Sequence, residues 1–172
     1  MQYSIRRTSN VADAVKLAEI GATTFADTFG HLYSDADLEA FLRDAHSVDG
    51  ARDILSAVEY VAWLAETDSG EVAGYCVAGP THLPIPDKPD GAGELIRLYV
   101  DKAHRGGGLG ITMLEGALDW LKQHFQHVYL SVYQENHGAQ RLYRRYGFKV
   151  VHEYDFMVGS HADPEYIMKM GG

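Results

Sequence analysis

The stretch from His104 to Gly110, HRGGGLG, places four glycines and an arginine between two apolar segments. The preceding ELIRLYV has the composition of a strand, and the following ITMLEGALDWLKQHF repeats its apolar residues at helical steps of three and four. A helix N-terminus presents unpaired N–H groups and a partial positive charge, and glycines let a bulky phosphate approach them closely. Four glycines beside Arg105 therefore predict a pyrophosphate-binding turn, although some glycines would also serve a merely tight turn.

Two common nucleotide-binding patterns do not fit this turn. A Walker A loop requires glycine, lysine and then serine or threonine after a four-residue gap, and no such run is present. The dinucleotide-binding pattern needs glycines at 106, 108 and 111, but position 111 is Ile111. It should also open a chain of βα repeats. Neither nucleotide-binding pattern therefore fits the turn.

The elements around the turn predict a mixed α/β sheet. The predicted order is β-α-α-β-β-β-α-β-α-β-β, from strand YSIRR to two closing strands, KVVHEYDFMV and PEYIMKM. The first helix carries its apolar face on Val11, Val15, Ala18, Ala22 and Phe25. Three further segments are a hairpin around TDSG, a proline-rich loop from Gly79 to Gly93, and DGARDILSAVE, which is either a short helix or a connector. This order fits a mixed sheet that is antiparallel at its two ends and has one crossover helix linking two parallel strands.

Composition narrows the function classes. The chain has 172 residues, 46% of them hydrophobic, which fits one globular domain over residues 1–172. A net charge of −9 disfavours nucleic acid and membrane surfaces as partners, because both attract a basic face. The N-terminus lacks an apolar signal core and no run approaches ~20 apolar residues, so a cytoplasmic location is expected.

Metal and thiol chemistry find little support in the sequence. The single cysteine, Cys76, lies inside VAGYCVAG, where a buried strand position is more natural than an acyl-carrying nucleophile. The nine histidines show no metal-binding spacing such as H-E-x-x-H. We therefore expect no metal.

A second motif decides the kind of phosphate site. RGGGLG matches R-x-x-G-x-G, and NHGAQRLYRRYGF downstream matches N-x-x-A-x-x-L-Y-x-x-x-G-F. Together, in this order, they resemble the two halves of the acetyl-CoA site in the GNAT superfamily of N-acetyltransferases. The element order resembles that fold across essentially the whole chain. The resemblance implies a single-domain, mostly antiparallel mixed sheet flanked by helices, and acetyl transfer from acetyl-CoA to an amine.

The resemblance also implies a donor site. The pyrophosphate would meet the backbone of the glycine turn, the pantetheine arm would run along the preceding strand, and an amide near Leu98 would polarise the thioester carbonyl. The implied cofactor-binding residues are Leu98, Tyr99, Val100, Arg105, Gly106, Gly107, Gly108, Leu109, Gly110, Asn136, Ala139, Tyr143 and Arg145. Without the resemblance, Asn136 is equally well explained as an ordinary helix N-cap, and Arg145 as a solvent-exposed helix residue.

Two catalytic residues follow from the same resemblance. The hydroxyl of Tyr143 would point at the CoA sulfur, and a phenol of pKa ~10 can donate a proton to a thiolate of pKa ~8.5. The alternative is a core tyrosine, since Tyr143 shares the apolar helical face. Glu94, at the start of ELIRLYV, falls where some family members carry a catalytic glutamate, and it would act as the base. Its alternative is a solvated strand end.

The acceptor site is predicted in the first forty residues. Asp27 lies between two phenylalanines in ATTFADTFG, and an acid among aromatic rings suits a protonated amine. Phe29 and His31 are the neighbouring candidates for substrate binding. Further acids follow in the next helix, at Asp35, Asp37 and Glu39; capping and surface roles are the simpler interpretation of the first two.

The acceptor itself stays open at this level. ATTFADTFG and the tail in which YDFMVG precedes IMKM resemble the PaiA-type polyamine N-acetyltransferases, which act on spermidine and spermine. A small-molecule primary amine is therefore the expected partner. The alternatives are a protein lysine or N-terminus, and a CoA-binding regulatory module without turnover. A homodimer is also left open.

Overall fold

The computed structural model describes residues 1–171 as seven strands, five α-helices and three single 3-10 turns. The strands are β1 Tyr3–Thr8, β2 Val61–Thr67, β3 Val72–Pro80, β4 Ala92–Val100, β5 His127–Tyr133, β6 Phe148–Val158 and β7 His161–Met170. The helices are α1 Ala14–Phe29, α2 Asp35–Ala45, α3 Val48–Ser56, α4 Leu109–His124 and α5 His137–Arg145. The 3-10 turns span Val11–Asp13, Gly30–Leu32 and Lys102–His104. The segment DGARDILSAVE, left open by the sequence, contains most of helix α3.

The strands form one sheet in the order β1-β2-β3-β4-β5-β7-β6. Every neighbouring pair is antiparallel except β4 and β5, which are parallel and joined through α4. Helix α4 packs on one face of the sheet, and α1 and α3 pack on the other. The expected fold class, a single-domain mixed sheet that is mostly antiparallel and flanked by helices, is confirmed.

The sheet opens between its two parallel strands. Pairing of β4 with β5 stops at Leu95 and Leu130, although β4 continues to Val100 and β5 to Tyr133. A β-bulge lies just after this point, since Ala78 pairs with Leu95 and Val77 with Arg97, which leaves Ile96 unpaired. A bulge bends its strand and increases the local twist. Beyond Leu95, β4 therefore has β3 on one side and an open backbone edge on the other.

The predicted apolar face of the first helix is partly wrong. Val11 is 50% exposed and Val15 is 48% exposed. Val11 belongs to a 3-10 turn, and the α-helix begins only at Ala14. Val15 lies within α1, but the buried face of that helix is rotated away from the predicted stripe, toward Ala14, Leu17 and Gly21. The buried face consists of Ala14, Leu17, Ala18, Ile20, Gly21, Thr24 and Phe25.

Two segments of the chain differ in extent from their sequence predictions. The proline-rich loop is shorter than expected, because β3 reaches Pro80 and β4 begins at Ala92. Strand β7 begins at His161, before the predicted segment PEYIMKM, and this brings Asp163 into the sheet. Among the described helices, none combines the length and the apolar character that crossing a membrane requires.

Candidate active site

A cleft of about 720 Å³ occupies the opening between β4 and β5. Its lining includes the free part of β4, the ends of β5 and β7, and side chains from α1, α2 and α5. The lining reaches Arg105, at the start of the glycine turn, but includes none of the residues from Gly106 to Gly110.

The glycine turn leaves open space where side chains would stand. Gly106 and Gly108 have φ values of +87° and +86°, which L side chains rarely adopt, and Gly108 caps the N-terminus of α4. A Cβ built at Gly106, Gly107 or Gly108 would meet nothing within 4 Å. Gly107 needs no positive φ, so neither packing nor backbone conformation requires its glycine. A ligand that binds close to the backbone of the turn would account for a glycine at position 107.

The side chains flanking the turn are held in place. The Nε of Arg105 donates to the carbonyl of Val100 at 2.9 Å, and both residues line the cleft. Leu109 points into the core and is 5% exposed, so its side chain is not available to a ligand. Gly110, in the first turn of α4, does not line the cleft, and a Cβ there would lie 3.6 Å from Val100.

Most of the remaining residues of the predicted donor site line the cleft, but one does not. Leu98 and Tyr99 on β4 and Ala139 on α5 line the cleft. Asn136 does as well, while its Oδ1 accepts from the backbone of Ala139 at 3.2 Å; capping and cleft lining are thus compatible. Arg145 is exposed and lies outside the lining.

Tyr143 lines the cleft while packing against the main core. Its ring meets Phe148 edge-on, with centroids 6.0 Å apart. Burial raises the pKa of the Tyr143 phenol well above its ordinary value. The phenol therefore keeps its proton at neutral pH, as a general acid must.

Glu94 lines the same cleft and is only 8% exposed, so its interpretation as a solvated strand end is wrong. Thr81 Oγ1 donates to Glu94 Oε1 at 2.9 Å. Burial raises the pKa of Glu94 to about 7, although hydrogen bonds from Thr81 and from the backbone of His82, and the charge of Arg97, act in the opposite direction. A carboxyl with this pKa can take up and release a proton near neutrality.

Asp27 does not line the cleft. Phe25 and Phe29 share one face of α1, with ring centroids 5.2 Å apart, and both line the cleft. Residues two apart on a helix do not face each other, so Asp27 points elsewhere and lies 3.5 Å from Lys102 Nζ. His31 is exposed and also outside the lining. Of the predicted substrate residues, only Phe29 borders the cleft.

The other acids of the N-terminal segment have surface roles. Asp35 and Asp37 lie in the first turn of α2, where Ser34 Oγ accepts from the backbone of Asp37 at 3.1 Å. Glu39 lies 3.5 Å from Arg43 on the same helix. For Asp35 and Asp37 these positions in the first turn of α2 agree with the simpler interpretation of the sequence, and none of the three acids lines the cleft.

Sequence reasoning missed the two carboxylates that do line the cleft on β7, Asp163 and Glu165. They are two residues apart on a strand and therefore share a face. Tyr166, which follows Glu165 on β7, and Leu130, which precedes Ser131 on β5, pack on the α4 side of the sheet. Because side chains alternate between the two faces of a strand, Glu165 and Ser131 face away from α4. The alternation of Asp163 and Glu165 was the available signal, and it was lost because the strand was predicted to begin at Pro164.

Aromatic rings enclose this acidic side of the cleft. Phe25 contacts the rings of Tyr33 and Phe41, with centroids 6.0 and 4.6 Å away, and Phe41 meets Phe156 at 5.7 Å. The imidazole of His46 also lines the cleft, and burial lowers its pKa to about 4. His46 is thus neutral at physiological pH and adds no positive charge.

The cleft thus combines an open strand edge, a protonated tyrosine and a glutamate with a pKa of about 7, and the glycine turn at the start of α4 follows its lining residue Arg105. The family model described as acetyltransferase (GNAT) matches residues 23–148, which contain all four features. The chain belongs to the GNAT acetyltransferase family. Within residues 1–171, no group of three or more His, Cys, Asp or Glu side chains is arranged to hold a metal ion.

Other GNAT proteins resemble the chain to different extents. The spermine/spermidine N(1)-acetyltransferase of Bacillus subtilis is 33% identical over 89 residues, 51% of this chain and 59% of that protein. An uncharacterized N-acetyltransferase of Mycobacterium bovis is 29% identical over 170 residues, 92% of this chain and 97% of that protein. The crystal structure of PaiA N-acetyltransferase from Thermoplasma acidophilum in complex with coenzyme A aligns over 100% of both chains with a TM-score of 0.75 and 23% identity.

Proposed function

We propose that the protein transfers an acetyl group from acetyl-CoA directly to a primary amine of a small cationic molecule, with a polyamine such as spermidine or spermine as the favoured acceptor. The observation that carries this proposal is the position of three cleft-lining carboxylates, on Glu94, Asp163 and Glu165, beside the open edge of β4 and among aromatic rings. Charge and cation–π contacts favour a protonated amine in such surroundings.

The donor side fits CoA. The N-terminus of α4 and the open space around Gly106, Gly107 and Gly108 suit a pyrophosphate. The backbone edge of β4 beyond Leu95 has no strand partner on the β5 side, so it can pair with an amide-containing arm. When bound, acetyl-CoA supplies the acetyl group as a reactive thioester.

Glu94 and Tyr143 take complementary roles in the transfer. A free amine of pKa ~10.4 is mostly protonated at neutral pH, so a base must remove a proton before the nitrogen attacks the thioester carbonyl. Glu94 takes that proton, directly or through water. As the C–N bond forms and the C–S bond breaks, Tyr143 donates its phenolic proton to the departing thiolate. The nitrogen then loses its second proton, which returns through water to the Tyr143 phenolate, so that the amide, the free CoA thiol and the neutral phenol are restored. An N–H of β4 near Leu98 stabilises the carbonyl oxygen.

Direct transfer is favoured over an acyl-enzyme because the chain's single cysteine is a poor nucleophile. Cys76 is fully buried in β3, and burial raises the pKa of its thiol. A thiol that stays protonated attacks thioesters slowly. The acetyl group therefore passes to the amine in one step.

The name of one similar protein supports a polyamine acceptor, since the Bacillus subtilis relative is a spermine/spermidine N(1)-acetyltransferase. Because that relative aligns over only 59% of its length, the residues of the cleft are the stronger support for the proposal. The three acids of the cleft lining outnumber its two arginines, Arg97 and Arg105. The Nη2 of Arg97 donates to the carbonyl of Ala45 at 3.1 Å.

An acceptor screen tests the proposal. The protein is incubated with acetyl-CoA and spermidine, spermine, monoamines, a lysine peptide or a peptide with a free N-terminus, and products are identified by mass spectrometry. We expect acetylated polyamines to form fastest. Preferential acetylation of a peptide would favour the protein-acetylating alternative, and CoA binding without any product would favour a regulatory module.

A further inference from the structure

We propose that Asp163 and Glu165, together with the hydroxyl of Tyr33, form a second ammonium site, which holds the non-reacting ammonium of a di- or polyamine and makes such acceptors better than monoamines. This inference rests on the proposed function and assigns part of its specificity to residues on β7. Nothing in the catalytic steps described above requires these three side chains.

Asp163 carries a buried oxygen without a hydrogen-bond donor. Its residue is 3% exposed, and Oδ2 accepts a hydrogen bond from the hydroxyl of Tyr33. Oδ1 accepts none from the described residues; the Nε2 of His161 lies 3.0 Å away but outside hydrogen-bonding geometry. A buried carboxylate oxygen without a donor is costly, and an ammonium in the cleft would supply one.

Glu165 adds a second carboxylate on the same face of β7. Its only side-chain partner among the described residues is Ser131, whose Oγ donates to Oε2 at 3.4 Å. Burial, and then the neighbouring charge of Asp163, raise the pKa of Glu165 to about 7. Two crowded carboxylates, whose one basic neighbour at ion-pair distance among the described residues is His161, favour the binding of a positive charge between them.

The walls around the pair suit an alkylammonium chain. The ring of Tyr33 stacks on Phe25, and Phe29 meets Tyr133 edge-on with centroids 6.2 Å apart. These rings cover the methylene part of a ligand while presenting π faces to its charge. The nearest arginines have other partners: Arg97 binds a backbone carbonyl of α2, and Arg105 binds one of β4.

The distance to the catalytic glutamate requires a spacer between the two ammonium groups. Along β5, Tyr129 lies beside Glu94 and Tyr133 lies beside Glu165. Four residues of strand correspond to about 13 Å. A molecule with its reacting amine near Glu94 and its second ammonium near Glu165 must therefore carry several methylenes between them, as di- and polyamines do.

The test compares α,ω-diaminoalkanes of three to ten carbons with 1-aminoalkanes of the same lengths, at saturating acetyl-CoA. In the wild-type protein we expect at least one diamine to exceed its matched monoamine in kcat/KM by about tenfold or more. Asp163→Asn and Glu165→Gln should lower that ratio by about tenfold to a hundredfold, the range for a hydrogen bond between charged groups. Asp155→Asn, an exposed acid on β6 outside the cleft, should leave the ratio unchanged.

The outcomes separate this inference from the proposed function. A ratio near one in the wild type, or an equal loss for diamine and monoamine in both variants, overturns the second ammonium site while amine acetylation stands. If Asp163→Asn does not fold, Glu165→Gln and Tyr33→Phe provide the same comparison. If no amine is acetylated, the proposed function fails, and calorimetric titration of the diamines still decides the site: weaker binding in the variants supports it, and equal binding overturns it.

Discussion

Thr81 donates a hydrogen bond of 2.9 Å to Glu94, and both side chains are almost completely buried at the edge of the cleft. The same hydroxyl accepts from the backbone of Leu83 at 3.0 Å, so its hydrogen is directed at the carboxylate. A donor held in this way stabilises the ionised form of Glu94 against the cost of burial. Burial is the largest influence on the pKa of Glu94, and the hydrogen bond from Thr81 opposes it, so both affect the pH at which Glu94 can act as a base.

Replacing Thr81 by valine should move the pH dependence of catalysis upward. Loss of the donor destabilises the ionised carboxylate, so the pKa of Glu94 rises further above about 7. We expect the acid limb of the kcat/KM profile to shift to higher pH by about one unit. Thr67→Val, in the distant β2–β3 turn, should leave the profile unchanged. A lower rate without a shift of the limb would show that Thr81 acts only on packing.

Tyr143→Phe should lower kcat by about a hundredfold while the affinity for acetyl-CoA stays within about twofold. The substitution keeps the edge-on contact with Phe148 and removes only the proton donor. Steady-state kinetics and equilibrium binding of CoA measure the two quantities separately. Unchanged turnover would leave Tyr143 as a core residue, and weakened CoA binding would place its role in the donor site instead.

Gly107→Ala should weaken CoA binding without unfolding the protein. A methyl group there meets no protein atom within 4 Å and requires no unusual φ, but it would occupy the space beside the turn amides. We expect an increase in the CoA dissociation constant of about tenfold or more.

Gly116→Ala is the matched control for that variant. Gly116 is an exposed position of α4 with open space around its Cα, so alanine should stabilise the helix by about 1 kcal/mol and leave CoA binding unchanged. Equal CoA affinity in the two variants would remove the glycine turn as the pyrophosphate site.

Glu165→Gln should flatten the pH dependence of stability. In the folded protein the pKa of Glu165 is about 7, against about 4.5 for an ordinary glutamate. Below pH ~4.5 this carboxyl is protonated in both the folded and the unfolded protein, and its contribution to stability is fully present. As the pH rises from there through about 7, the unfolded state releases the proton more readily than the folded state, so that stability is lost. Thermal melts from pH 4.5 to 8 should show a smaller loss of Tm in the variant, by an amount equivalent to a few kcal/mol at most. Parallel curves would contradict this environment for Glu165.

Much of the donor site could be predicted because its signals are local. The glycines of HRGGGLG and the spacing from Asn136 to Gly147 are short motifs, and the strands beside them are short, mostly apolar runs in the sequence. Glu94 was found through its place before the glycine turn, but its burial was not, since that depends on the loop that carries Thr81.

The acceptor side could not be predicted in the same way, because it is assembled from distant segments. Tyr33 and Asp163 are 130 residues apart and meet only when β7 pairs between β5 and β6. Asp27 was favoured because it stands between Phe25 and Phe29 in sequence, but helical geometry directs it away from the face that the rings share. Sequence proximity on a helix is thus a poor guide to a shared site.

Formation of N-acetylspermidine as a function of pH, in the wild type and in Glu94→Gln, tests the central claim most directly. The account predicts acetylated product and free CoA thiol in equal amounts, with an acid limb near pH 7 in the wild type. In the variant the rate should fall about a hundredfold near pH 8, and the loss should shrink toward pH ~10, where the amine is itself neutral. Absence of acetylated amine in the wild type, or identical pH profiles in the two proteins, would contradict it.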